Sequence, residues 1–246
     1  MPEPQQARYR QIASALEADI VSGRLKVGEQ LPSERAMAEE LGISRMTARK
    51  ALEQLAGRGM LETRVGQGTF VGAPVIRQEL SALSGFTEEM ERQGRTTSSI
   101  VVEAQHCAPT AEAFKALKLG PKQHVYRLTR VRLADETPVA FERTEINATR
   151  APDLLSKADF ATSSLYGTLK RHFGIIPAIA EQTLEAALAD QSTALTLSID
   201  PGAAVLMQTR LTFDNTNQPF EFVRSTYRGD AFQMKVQLTI PAEAHA

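Results

Sequence analysis

The 246-residue chain has no tryptophan, one cysteine, four histidines and four tyrosines. A lone cysteine, Cys107, excludes an internal disulfide framework and a cysteine-rich zinc site, and it suits a reducing cytoplasm. None of His106, His124, His172 and His245 stands in H-x-x-E or H-E-x-x-H spacing, so no metal site is expected. A G-x-S-x-G elbow and a P-loop are both missing. No apolar run approaches the roughly 18–20 residues that span a bilayer. The opening segment, MPEPQQARYRQIASAL, lacks the apolar core of a secretory signal. Nor is there a large charge of one sign: the net value is -1, so attraction to nucleic acid must come from local placement. These absences predict a cytoplasmic protein with no cofactor, no metal and no membrane partner.

What is present is 42% hydrophobic residues in a chain long enough for two cores. Leu31 to Val71 carries the densest pattern. Helix one is predicted over about Ala7 to Ser22, with Tyr9, Ile12, Leu16 and Ile20 in one stripe. Ser33 is placed to cap a second helix that Gly42 ends. Ser44 can cap a third, about Arg45 to Arg58, with Ala48, Leu52 and Leu55 buried. Its outward side is expected to carry Arg45, Thr47, Arg49 and Lys50. A hairpin follows, Met60–Val65 and Thr69–Val71, with Gly66, Gln67 and Gly68 at its tip.

The first 74 residues carry nearly as many acids as bases, so their sum decides nothing. Distribution is more telling: between Ser44 and Leu52 stand Arg45, Arg49 and Lys50 and no acid. Arg45 and Arg49 lie four apart, a mildly repulsive pairing on a helix. Contacts to phosphates or to guanine O6 and N7 would use it directly. Ordinary solvated charges on a helical hairpin are the alternative reading.

Three motifs in order, GEQLPSER at 28–35, LGISRMTARKAL at 41–52 and GQGTFV at 66–71, closely resemble the winged helix-turn-helix of GntR-type bacterial transcription regulators. The resemblance implies that Arg35, Ser44, Arg45, Thr47 and Arg49 contact phosphates and bases. It implies that the wing tip, Gly66–Gly68, enters the minor groove. Val65 and Gln67 make this tip less basic than those of many relatives.

Gly72-Ala73-Pro74 breaks the wing strand. The expected boundaries are a DNA-binding domain at 1–73, a linker at 74–83 and a second domain at 84–246. Beyond the linker, strands are predicted at Ile100–Cys107, Val125–Leu133, Pro138–Ile146, Ile176–Leu188, Ala204–Phe213, Phe220–Tyr227 and Phe232–Ile240. Short helices are expected near Phe86–Gln93, Ala111–Leu119 and Ser164–His172. Hairpin-joined strands with interspersed helices indicate an α+β domain around an antiparallel sheet. Arg130 and Arg132 share a strand face, where two guanidiniums repel unless an anion joins them. Two surface arginines paired with Glu142, Glu145 or Glu221 are the equal alternative.

LTRVRLADETPVAFE at 128–142, SSLY at 163–166 and PFEFVRSTYRGD at 219–230 resemble the UTRA ligand-binding domain, and so the HutC branch of GntR-type regulators. That resemblance implies a chorismate-lyase-like sheet with flanking helices. It also implies an effector site. Gly85, Phe86 and Thr87 would begin a helix whose N–H groups hold an anion. Arg130 and Arg132 would add charge, and Glu142, Ser164, Tyr166, Glu221 and Tyr227 would read hydroxyls or amines. Such a site suits a phosphorylated sugar or amino sugar; relatives that read organic acids such as urocanate set the alternative. Glu88, Glu89 and Glu91 would disfavour a dianion if they point inward. Arg224 and Arg228 are read either as further anion ligands or as structural ion pairs. The lyase-like fold raises an enzyme reading with Glu142 and Glu221 as acid and base, but sugar-hydroxyl contacts fit them equally, and Cys107 reads as a structural thiol. The expected protein is a homodimer on a pseudo-palindromic operator of double-stranded DNA, with a small anionic effector shifting operator affinity by about 1–3 kcal/mol.

Overall fold

A computed structural model describes residues 4–57, 59–64, 66–72, 75–80 and 83–238. The chain divides into two units, 1–75 and 76–246. The first contains α1 (Pro4–Val21), α2 (Glu34–Leu41), α3 (Arg45–Gly57), β1 (Leu61–Arg64) and β2 (Gly68–Val71). Ser33 caps α2 by accepting from the N–H of Ala36 at 3.2 Å, and Gly42 closes it at φ +60°. Ala13, Met37, Ala48, Ala51, Leu52 and Leu55 form the core, with the expected stripe Tyr9, Ile12, Leu16 and Ile20 packed on it. The strands β1 and β2 pair antiparallel from Leu61–Val71 to Arg64–Gly68. Arg58 and Val65 lie outside the described residues.

The second unit runs β3 (Ile76–Glu79), α4 (Phe86–Arg92), β4 (Thr97–Cys107), α5 (Ala111–Ala116), β5 (Val125–Ala134), β6 (Thr137–Asn147), α6 (Leu165–Phe173), β7 (Pro177–Leu188), α7 (Gln191–Leu197), β8 (Ala204–Asp214), β9 (Pro219–Arg228) and β10 (Phe232–Lys235). Six strands form one antiparallel sheet in the order β4-β5-β6-β9-β8-β7. The expected antiparallel sheet with flanking helices is therefore observed. Two expectations are corrected. The region 74–83 is not all linker: Ile76–Glu79 pairs parallel with Phe232–Lys235. The last strand is also shorter than 232–240 and stands in that separate two-stranded ribbon. Buried Ile76, packed with Met90, Tyr227 and Phe232, anchors the ribbon to the domain.

Strand parity sorts the two faces of the sheet. Leu128 and Ile146 pack with Leu165 and Leu169 of α6, joined by Phe220 at the β8–β9 bulge, where the alternation breaks. Val125, Leu211 and Phe222 pack with Ala113 and Leu117 of α5, and Phe141 and Val205 pack with Leu197 of α7. Along β5 the α6-facing row continues from Leu128 to Arg130 and Arg132, so an apolar layer gives way to a buried polar one. No helix among the described residues is long and apolar enough to cross a membrane.

The β8–β9 hairpin depends on Asp214. Its carboxylate accepts from the N–H groups of Thr216 (2.9 Å) and Gln218 (3.0 Å) and from the Thr216 hydroxyl (2.7 Å), and it pairs with Arg150. Burial alone would raise its pKa, but the bonds from Arg150, Gln218 and Thr216 outweigh that and hold it well below the usual carboxylate range. A depressed folded pKa stabilises the protein above the unfolded value and loses that contribution as pH falls beneath it. Asp214→Asn should lower the unfolding free energy at pH 7 by about 1–3 kcal/mol. The gap from wild type should narrow steadily as pH drops below about 4. Urea unfolding across that range checks it; a gap independent of pH would refute the assignment.

Candidate DNA-reading face and effector pocket

In the first unit, Ser44 begins α3 by accepting from the N–H of Thr47 at 3.1 Å, and the two hydroxyls bond at 2.8 Å. Thr47 is buried, so the sequence reading that turned it outward is corrected: its side chain completes the cap. Arg45, Arg49 and Lys50 do face solvent, as does Arg35 on α2. Met46, which the sequence reading passed over, is 57% exposed among them. An outward methionine on such a helix can contact a thymine methyl in a major groove. The arginines are not bare. Arg35 Nε donates to Glu39 at 3.0 Å, Arg45 Nε to Glu34 at 3.3 Å and Arg49 Nε to Glu53 at 2.7 Å. Glu53 raises the Arg49 pKa through this bond.

The wing tip turns on Gly66 (φ +75°) and Gly68 (φ +116°), which glycine tolerates and side-chain-bearing residues rarely do. Gln30 braces it from the loop before α2, donating from Nε2 to the Gln67 carbonyl at 2.7 Å. A Cβ on Gly68 would stand 2.8 Å from that nitrogen. Arg64, paired with Gly68 beside the tip, lies over the Phe70 ring at 4.4 Å and donates to Glu62 at 3.2 Å.

In the second unit a cavity opens between α4, α6 and the sheet, with about 580 Å³ of space not filled by atoms, its open mouth included. All ten expected effector residues line it or its wall: Gly85, Phe86, Thr87, Arg130, Arg132, Glu142, Ser164, Tyr166, Glu221 and Tyr227. Gln78, Gln208 and Arg210 join them unforeseen, and Glu88, whose direction the sequence left open, joins them too. On β8, Gln208, Arg210 and Thr212 alternate on one face; three polar residues of equal parity in a central strand were the available signal.

Arg130 and Arg132 are buried, which overturns the reading of surface arginines, while the pairing with Glu142 is observed. Arg130 Nη2 donates to Glu142 at 2.5 Å, and Arg132 Nη1 stands 3.9 Å from the same carboxylate. Arg132 also donates to Thr87 Oγ1 at 3.1 Å and stacks on Phe86 at 4.4 Å. Burial and then Arg130 pull its pKa down to about 10. Burial would raise Glu142, but Arg130 and Arg132 hold its carboxyl below the ordinary range. One carboxylate thus faces two guanidiniums. Arg130 Nε and Nη1 and Arg132 Nε are buried with no hydrogen-bond partner. The other side of the cavity holds a second carboxylate, Glu221, with Arg210 near it. Tyr166 and Thr212 hydroxyls both donate to Glu221 Oε2 at 2.7 Å. Burial raises the Glu221 pKa, and burial followed by the Glu221 charge raises that of Tyr166.

At the start of α4, Glu88 turns back toward Gly85 and Ser164. Glu88 Oε1 accepts from Ser164 Oγ at 2.6 Å, and a Cβ on Gly85 would stand 2.2 Å from Oε2. Glu88 therefore points inward, while Glu89 is neutralised by Ser84, Arg92 and Gln93. Arg224 and Arg228 take structural partners, Glu112 and Asp230. Glu145 pairs with Arg127 instead of with the two pocket arginines.

A winged DNA-reading unit joined to a sheet domain with a buried, charged cavity defines a class: transcription regulators that answer to small molecules. Residues 8–71 match the bacterial regulatory proteins of the gntR family, and residues 92–233 match the UTRA domain. The HTH-type transcriptional repressor NagR of Bacillus subtilis is 38% identical over 91% of both chains. The probable fructoselysine utilization operon transcriptional repressor of Escherichia coli is 26% identical over 98% of this chain and 96% of its own. The crystal structure of PhnF from Mycobacterium smegmatis has a TM-score of 0.77 at 29% identity, covering 92% of this chain and 98% of that one. The chain belongs to the gntR family of bacterial transcription regulators and carries a UTRA domain. Members of this family are regulators, not enzymes, and they bind operator DNA and small-molecule effectors.

Proposed function

We propose that this protein is a repressor that binds its operator as a homodimer and leaves it when a small anionic metabolite enters the pocket. A phosphorylated sugar or amino sugar is the favoured effector. The observation that carries this reading is the pair Arg130 and Arg132, buried, sharing one carboxylate and retaining unpartnered N–H groups. Such donors call for an anion. Glu221, Tyr166 and Gln208 on the other side offer acceptors and donors suited to hydroxyls or an amine. The fructoselysine repressor, by its name, governs the use of a sugar derivative. Arg35, Ser44, Arg45, Arg49, Lys50 and the wing tip would read the operator, with Thr47 acting through the cap of α3.

A thermal-shift panel of sugar phosphates, amino-sugar phosphates and small organic acids tests the effector class. A matched effector at a hundredfold its Kd should add about 2.7 kcal/mol of stability, a shift of several degrees. The same compound should release operator DNA. Stabilisation by organic acids and not by any sugar phosphate would overturn the favoured class.

A further inference from the structure

The three arginines of the candidate DNA face share one arrangement. Each gives its Nε to a glutamate: Arg35 to Glu39 within α2, Arg49 to Glu53 within α3, and Arg45 of α3 to Glu34 of α2. The pairs have different sequence separations, four, four and eleven, so no single helical periodicity produces all of them. All are solvent-exposed, with arginine side chains 81%, 56% and 72% accessible in that order. Pairs this open contribute little to stability, so folding gives small reason to hold them. Their effect on a polyanion is larger. A guanidinium held through Nε keeps its two terminal nitrogens on the opposite edge, the edge that grips guanine O6 and N7 in a bidentate pair. Its neighbouring carboxylate also cancels the charge that a phosphate backbone would otherwise attract.

We propose that Glu34, Glu39 and Glu53 set the sequence specificity of DNA binding by aiming these arginines and lowering the protein's attraction for DNA of any sequence. The inference rests on the DNA-face assignment above. On non-specific DNA the phosphates compete with a carboxylate already in place. At the operator the base edges meet guanidiniums already oriented. The near balance of charge in this unit, unusual for a DNA reader, follows from the same design.

The test uses the full-length protein, a 30-base-pair random duplex and an operator selected from a random pool. The triple variant Glu34→Gln, Glu39→Gln, Glu53→Gln should bind the random duplex at least about tenfold more tightly near 0.15 M salt. The slope of log K against log salt should steepen by about two to three, since each freed arginine neutralises about one more phosphate. Operator affinity should rise less, so the ratio of operator to random affinity falls at least about threefold. Glu40→Gln removes one glutamate charge from α2 without touching these pairs and should leave that ratio within twofold. An unchanged ratio in the triple variant overturns the proposal, and so does an equal fall in Glu40→Gln. Circular dichroism confirms that each variant is folded. If Arg49→Ala leaves operator binding intact, the DNA face itself is misassigned; if it abolishes binding while the triple variant keeps its ratio, only the present inference fails.

Discussion

Exchanging Glu142 for glutamine is expected to lower the unfolding free energy of the effector domain by about 3–5 kcal/mol. Glu142 is the carboxylate that faces both Arg130 and Arg132, and all three are buried. The amide keeps the volume and one acceptor oxygen but removes the charge. Two guanidiniums on the same strand face then lie buried without the carboxylate that both face. Arg132, already pulled down to about 10 by burial and by Arg130, would be pushed lower still. The same substitution creates a test of the pocket. An anion that enters between the arginines replaces the missing charge, so inorganic phosphate or a sugar phosphate should stabilise Glu142→Gln more than wild type. Urea unfolding followed by circular dichroism, with and without phosphate, measures both. A loss below about 1 kcal/mol would mean that the arginines draw their compensation from elsewhere.

Replacing Arg49 with alanine is expected to weaken operator binding by about 10- to 100-fold, the equivalent of 1–3 kcal/mol for a lost bidentate base contact. Stability and oligomeric state should not change. The Arg49 side chain is 56% exposed, and its bond to Glu53 is an exposed i,i+4 pair. Binding to random duplex should fall much less, since Arg49 is already neutralised by Glu53 there. Fluorescence anisotropy on the selected operator and on a random duplex separates the two. Operator affinity within twofold of wild type would remove α3 from the major groove.

The winged unit was legible because its signals are local. Ser33 and Gly42 bound α2, Gly66 and Gly68 bend the wing, and Ala48, Leu52 and Leu55 recur at helical spacing. Each feature needs only a few neighbouring residues. Thr47 was misread because helical position gives a direction but not a partner. Ser44 Oγ stands within hydrogen-bond reach, and the cap drew the side chain inward.

The pocket was legible in part. Strand parity places Arg130 and Arg132 together, but parity cannot say whether that face is wet or dry. Burial required α4 and α6 to be laid over it. Glu88 reached the cavity only because α4 packs beside Ser164, a residue 76 positions away. Arg210 and Gln208 entered through the pairing of β8 with β9. The ribbon of β3 and β10 joins residues more than 150 positions apart, and four short residues at each end give little pattern to read.

The sequence by itself determined the helix caps, the glycine turns of the wing, the basic run of α3 and the two-residue alternation of the sheet. All follow from backbone sterics and side-chain spacing within single elements. Tertiary structure alone decided which charges meet across elements. It paired Arg45 of α3 with Glu34 of α2, placed two guanidiniums against one buried carboxylate, and brought Glu88 to Ser164. Coulomb energies depend on distance and burial, and across separate elements only the folded chain fixes either one.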